Sequence, residues 1–195
     1  MLAKILAHKN LILASGSPRR QQFFKDLGVD FQIVLKPVDE IYPNHLKGAE
    51  ITDFLAQLKA SAFKEIGTDD IIVTSDTIVW HNEQALNKPK DREEAIGMIQ
   101  SLSGTTHQVI TSVTFTMSNR QKTINDTTSV TFKTLSQDEI EYYIDNFQPY
   151  DKAGGYGVQE WFGYIAVTHI DGSYFNVMGM PMHKVYETLL HIEDQ

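Results

Sequence analysis

The sequence predicts an α/β protein, a mixed, twisted β-sheet flanked by helices. Three observations lead there. Apolar, β-branched runs alternate with segments whose apolar residues recur at helical spacing. Two helix starts carry capping boxes, Asp91 with Glu94 and Ser136 with Glu139. Two long β-rich runs, 107–117 and 127–135, follow one another across the polar turn Ser118-Asn119-Arg120-Gln121. No internal repeat, low-complexity tract or interdomain linker interrupts the chain, and residues 1–195 are read as a single domain.

The elements follow in order. Leu11-Ile12-Leu13-Ala14 is a buried strand, and Ser15-Gly16-Ser17 a tight turn. Ser17 then serves as N-cap, with Pro18 at the N1 position that needs no backbone donor. The helix runs on through Phe23-Phe24 to Gly28, and the alternating Phe31–Leu35 reads as a strand. Residues 51–63 form a helix whose apolar stripe is Ile51, Leu55, Leu58 and Ala62. Ile71–Ser75 is a buried strand ending at Ser75-Asp76-Thr77, with Ile78-Val79-Trp80 extended beyond it and a turn at 81–84. The two capping boxes open helices ending near Leu102 and Phe147. A glycine cluster at 154–157 precedes a strand over Tyr164–Val167, and a last helix spans about 183–191.

Composition excludes several classes. The apolar share of 42% and charged share of 22% describe an ordinary globular protein long enough to bury a core. The net charge of -8 carries no basic footprint for nucleic acid, so a local basic pocket would suit a small anion. Without cysteine there are neither disulfides nor thiolate metal sites. The opening Met1–Lys9 is too broken by charge to be a signal sequence, and no apolar stretch approaches a membrane span, so the expected location is cytoplasmic.

Three clusters carry chemistry. In Ser15-Gly16-Ser17-Pro18-Arg19-Arg20, two arginines occupy a first helical turn, against the positive end of the dipole. Free backbone N–H groups and guanidinium forks there suit a phosphate; a solvated helix start is the alternative. Asp76 closes a strand where α/β sheets bind ligands, and could hold a metal or a water, or simply terminate the strand. Asn87-Lys88-Pro89 brings a lysine back after the turn. Asp151-Lys152-Ala153-Gly154-Gly155-Tyr156-Gly157-Val158-Gln159 has three glycines in four residues, suited to close backbone approach to a ligand, but lacks Walker A spacing. His45, His81, His107, His169 and His183 lack metal-ligand spacing and read as surface or satisfied structural residues, Trp161-Phe162 as core or interface, and Glu193-Asp194-Gln195 as a solvated end.

These clusters in this order, with Gly172–Val177 through Gly179-Met180-Pro181, resemble the Maf family of nucleoside triphosphate pyrophosphatases over essentially the whole chain. The resemblance implies an inosine-triphosphatase-like fold with a ligand cleft at strand ends. It implies hydrolysis of a nucleoside triphosphate between the α and β phosphates, with a divalent cation, Mg²⁺ or Mn²⁺. By the same resemblance Asp76 matches the proton acceptor for the attacking water, with a metal ligand as its alternative role, and Glu40 an acidic residue near the metal. Arg19, Thr77 and Gln159 match positions of substrate choice; Ser15, Arg20, Lys59, Lys88 and Lys152 match residues that hold the triphosphate. A homodimer and a house-cleaning role fit the family. The alternative it leaves is a nucleotide-binding regulator of septum formation that does not turn over its ligand.

Residue chemistry suits that reading. A triphosphate carries close to four negative charges, and one lost preorganised contact costs on the order of 10²–10³ in rate. The glycine-loop form resembles the subgroup acting on dTTP, UTP and some modified pyrimidine nucleotides. A glutamine amide offers donor and acceptor together, as the O4/N3–H edge of uracil or thymine does. Thymine's methyl adds only roughly 1 kcal/mol of burial, so dTTP and UTP are not expected to separate sharply.

Overall fold

The computed structural model describes residues 1–192; Glu193, Asp194 and Gln195, expected as a solvated end, lie outside the described residues. Among the described residues seven strands form one sheet: β1 (Asn10–Leu13), β2 (Gln32–Ile33), β3 (Asp70–His81), β4 (Gln84–Leu86), β5 (Thr106–Thr116), β6 (Gln121–Phe132) and β7 (Val167–Asp171). Their order is β2-β1-β3-β5-β6-β7, with β4 also paired to β3. The sheet is mixed: β1 is parallel to β2 and β3, whereas β3–β4 and β6–β7 are antiparallel. The flanking helices are α1 (Leu2–Ile5), α2 (Pro18–Asp26), α3 (Ala49–Ser61), α4 (Arg92–Leu102), α5 (Gln137–Phe147), α6 (Trp161–Ala166), α7 (Tyr174–Val177) and α8 (Met182–Leu190).

The chain forms two compact units. The first takes Met1–Asp76, Thr111–Asp126 and the described residues from Gly179; the second takes Thr77–Ile110 and Thr127–Met178.

In the first unit, β1 and β3 pair with Leu11 opposite Ile71 and Leu13 opposite Val73, and these residues are buried with Phe24, Ile51 and Leu55. β1 stops at Leu13 while β3 continues, so Ser75 and Asp76 run past its end, where the chain turns into α2. α3 lies on β3 through a buried bond, Thr74 Oγ1 donating to the Ala56 carbonyl at 2.7 Å.

The second unit packs α4 against α5 over Ala95, Ile99, Leu102, Ile140, Tyr143 and Ile144. Asn82 and Glu83, at φ 48° and 62°, make the two-residue turn between β3 and β4. The capping box of α5 is complete, with Ser136 Oγ accepting from Glu139 N and Glu139 Oε2 from Ser136 N. That of α4 is half made: Asp91 accepts from Glu94 N, but the Glu94 carboxylate takes the N–H of Lys90.

Several expectations are corrected. The strand over 31–35 shrinks to two residues, because its partner β1 ends opposite Ile33. The stripe of α3 is rotated: Ile51, Thr52, Leu55, Ala56 and Ala60 are buried, with Leu58 and Ala62 half-exposed. β6 begins at Gln121 rather than 127, its polar start held by the hairpin bond from Met117 N to Arg120 O and by Thr114 against Thr123 at 2.9 Å. Of the strand expected over Tyr164–Val167 only Val167 is one, opening β7; 161–166 is helical, because Phe162 and Ala166, four apart, both enter the core. Asp76 does not end its strand, since β3 continues unbroken to His81.

Candidate active site

Side chains alternate along β3, so Asp76 shares a face with Thr74, the face that meets α3. Thr74 sits under Ala56, and Lys59 is one helical turn further along. Lys59 Nζ therefore reaches Asp76 Oδ1 at 2.7 Å and also meets Glu40 Oε2 at 3.1 Å. Two carboxylates thus converge on one ammonium. Burial pushes the Asp76 carboxyl above the usual carboxylate range, against the pull of Lys59 and Arg20.

Arg20 turns inward from α2. Its Nε donates to the Gly179 carbonyl at 2.9 Å and its Nη1 to that of Ser75 at 3.1 Å. Burial brings the guanidinium down to about 10, so it stays cationic at neutral pH. Ser17 occupies the N-cap position of α2 but its hydroxyl makes no capping bond; instead its N–H donates to Ser15 Oγ at 3.3 Å. Gln21 Nε2 donates to the Ser15 carbonyl, bracing the turn. Arg19 stands half-buried on the first turn of α2.

The second unit carries the other expected residues. Thr77 is half-buried on β3, and Lys88 is exposed just after β4. Lys152 is buried, with Nζ at 2.6 Å from Asp151 and 3.1 Å from Glu160. Gly154 and Gly155 adopt φ of 68° and 73°, and Gly154 N donates to the Asn87 carbonyl, tying the glycine turn to the lysine segment. Gln159 follows, half-buried. His107 is buried and shares a hydrogen bond with Tyr156 Oη at 2.7 Å, a satisfied structural contact on that side of the ring. The structure thus gathers Glu40, Lys59, Asp76 and Arg20 in the first unit, and Lys152 with the glycine loop in the second.

Among the described residues no three His, Asp or Glu side chains cluster to hold a metal. Glu40 and Asp76 are nevertheless the hard oxygen donors that Mg²⁺ or Mn²⁺ takes, together with phosphate oxygens and water.

The Maf-like protein family profile matches residues 10–192. The chain belongs to the Maf family. Relatives of this Maf chain include the dTTP/UTP pyrophosphatase of Flavobacterium johnsoniae, 60% identical over 97% of this chain and 98% of that one. That of Christiangramia forsetii is 55% identical over 97% of each. The Bacteroides fragilis dTTP/UTP pyrophosphatase is 51% identical over 97% and 98%. Among solved structures, the Ham1 protein of Staphylococcus aureus covers 92% of this chain and 99% of its own, with a TM-score of 0.53 at 16% identity. The HAM1 protein of Coxiella burnetii gives the same TM-score at 11% identity, covering 94% and 99%. These two likenesses concern the fold.

Sequence reasoning on this Maf chain passed over Tyr143 and Glu160. Tyr143 Oη donates to Glu160 Oε2 at 2.7 Å and accepts from Gly157 N at 2.9 Å. In the sequence only its adjacency to Gln159 points to Glu160, and Tyr143 is one apolar position among others on its helix.

Proposed function

We propose that this protein hydrolyses dTTP and UTP between the α and β phosphates, releasing nucleoside monophosphate and pyrophosphate. The observation that carries the reading is the buried Asp76 carboxylate, held at 2.7 Å by an ammonium that also meets Glu40. The names of relatives 51–60% identical over nearly the full chain support it.

In this reading Asp76 accepts the proton of the attacking water at Oδ2, its Oδ1 being held by Lys59. A carboxyl raised by burial is a stronger base than an exposed one, which favours that role. Lys59 keeps it ionised and aimed. Arg20 places positive charge beside the end of β1, and Lys88 and Lys152 add cations for the phosphates. Gln159 offers an amide for the pyrimidine O4/N3–H edge. Glu40 would hold a divalent cation, with Asp76 a ligand only as the alternative to its role as base, and the cation when bound supplies charge neutralisation on the phosphates. A cytoplasmic place of action belongs to the same reading.

The test is incubation with dTTP, UTP, CTP, GTP and ATP plus Mg²⁺ or Mn²⁺, with products resolved by anion exchange, alongside Asp76→Asn. Monophosphate and pyrophosphate from dTTP and UTP, lost in the variant, are expected. Orthophosphate as product, or triphosphate binding without turnover, would overturn the reading.

A further inference from the structure

We propose that Tyr143 and Glu160 are positioning residues that shape the turn carrying Gln159 and hold the ammonium of Lys152, so that nucleotide selectivity depends on a phenol–carboxylate relay behind the glycine loop. The proposal rests on the dTTP/UTP reading above.

The turn Gly157–Glu160 is closed by the backbone bond from Glu160 N to Gly157 O at 3.2 Å. One phenol oxygen pins both of its ends, accepting from Gly157 N and donating to Glu160 Oε2. The other oxygen of that carboxylate meets Lys152 Nζ at 3.1 Å. A buried ammonium requires such a partner. Asp151, the second carboxylate on Lys152, is largely exposed, so Glu160 is its sheltered partner.

The loop's packing leaves little room for another arrangement. A Cβ on Gly157 would stand 2.7 Å from the Glu160 carboxylate carbon, and one on Gly163 would stand 1.8 Å from the Val158 carbonyl oxygen. The Tyr143 ring is itself fixed, fully buried 4.7 Å from Phe162 and stacked on Phe147. Burial and the neighbouring Glu160 raise its phenol, which therefore remains a donor at neutral pH. Lys152, proposed to meet the phosphates, is thus held by Glu160, and the turn that carries Gln159, proposed to read the base, is held by Tyr143; neither group need touch the substrate.

Two variants of the full chain test this, each compared with wild type by steady-state pyrophosphate release and by amide hydrogen exchange at Gly157. Tyr143→Phe keeps the ring and loses both phenol bonds. Its KM for dTTP and UTP is expected to rise about threefold to tenfold, because the lost bonds act on the substrate only through the turn, with kcat within about twofold. Its preference for dTTP over CTP should narrow, and exchange at Gly157 should accelerate. Glu160→Gln keeps a partner for Tyr143 but loses the charge facing Lys152, so KM should rise alike for all three nucleotides with the preference intact. Unchanged selectivity and unchanged Gly157 protection in Tyr143→Phe would overturn the relay. Wild type that releases no pyrophosphate from dTTP or UTP would sink the functional reading instead, while the exchange measurement still decides whether the phenol pins the turn.

Discussion

Lys59 Nζ lies 2.7 Å from Asp76 Oδ1 because the bond between Thr74 and Ala56, one turn earlier on the helix and two residues earlier on the strand, sets how α3 lies on β3. A lysine at that position then has the buried carboxylate as its nearest charged neighbour, with Glu40 further off at 3.1 Å. Burial raises the carboxyl and Lys59 opposes the rise. Lys59→Met removes the opposing charge, so the acid limb of the rate profile should move to higher pH. Pyrophosphate release should fall on the order of 10²–10³. A limb that stays in place, or moves to lower pH, would show that Lys59 does not act on Asp76.

Arg20 uses its planar fork to join two carbonyls that are far apart in sequence, those of Ser75 and Gly179. A lysine ammonium has no fork and cannot span both in that geometry. Arg20→Lys is expected to destabilise the protein by about 1–3 kcal/mol, the cost of a buried acceptor left unmet. Urea denaturation measures this; a midpoint equal to wild type would refute it.

Gly154 is constrained twice over. Its φ is 68°, and a Cβ there would stand 2.7 Å from Val79 Cγ2. Gly154→Ala should therefore lower the melting temperature, and adding Val79→Ala should recover only part of the loss. The clash is relieved, but the left-handed backbone still costs about 1–2 kcal/mol for a residue with a Cβ. Full recovery in the double variant would leave no role for the backbone conformation.

His107 is held neutral, chiefly by burial and secondarily by His81, with its pKa brought down to about 3 from 6.5. Between those values the unfolded chain binds a proton that the folded one refuses. Stability from this site is therefore full above about pH 6.5 and declines as pH falls toward 3. The slope is at most about 1.4 kcal/mol per pH unit. Denaturation at pH 7.5 and about pH 5 should show wild type losing more stability than His107→Gln. Parallel losses in the two proteins would contradict it.

What was legible in the sequence was local. The box of Ser136 and Glu139 announces α5, because both partners lie within one turn. Pro18 after Ser17 marks the start of α2, although the hydroxyl then does something else. The 81–84 turn and the alternation of strands and helices needed only near neighbours. The same short range explains the errors. Tyr164–Val167 has strand-forming side chains, yet the burial of Phe162 and Ala166 makes it helical up to Ala166. Gln121–Asp126 lacks any apolar alternation and becomes strand through its hairpin partner.

The sequence by itself determined the α/β class, the starts of α2, α4 and α5, and the residue types from which a phosphate and cation site can be assembled. Only the tertiary structure decided that Lys59 faces Asp76 and Glu40, that Arg20 clasps carbonyls, and that one phenol from α5 pins the turn carrying Gln159. The physical reason is distance along the chain. Caps and turns close over three or four residues, whereas a strand–helix bond such as Thr74 to Ala56 spans 18 residues and the Arg20 bond to Gly179 spans 159, and such contacts exist only once the core has placed both partners.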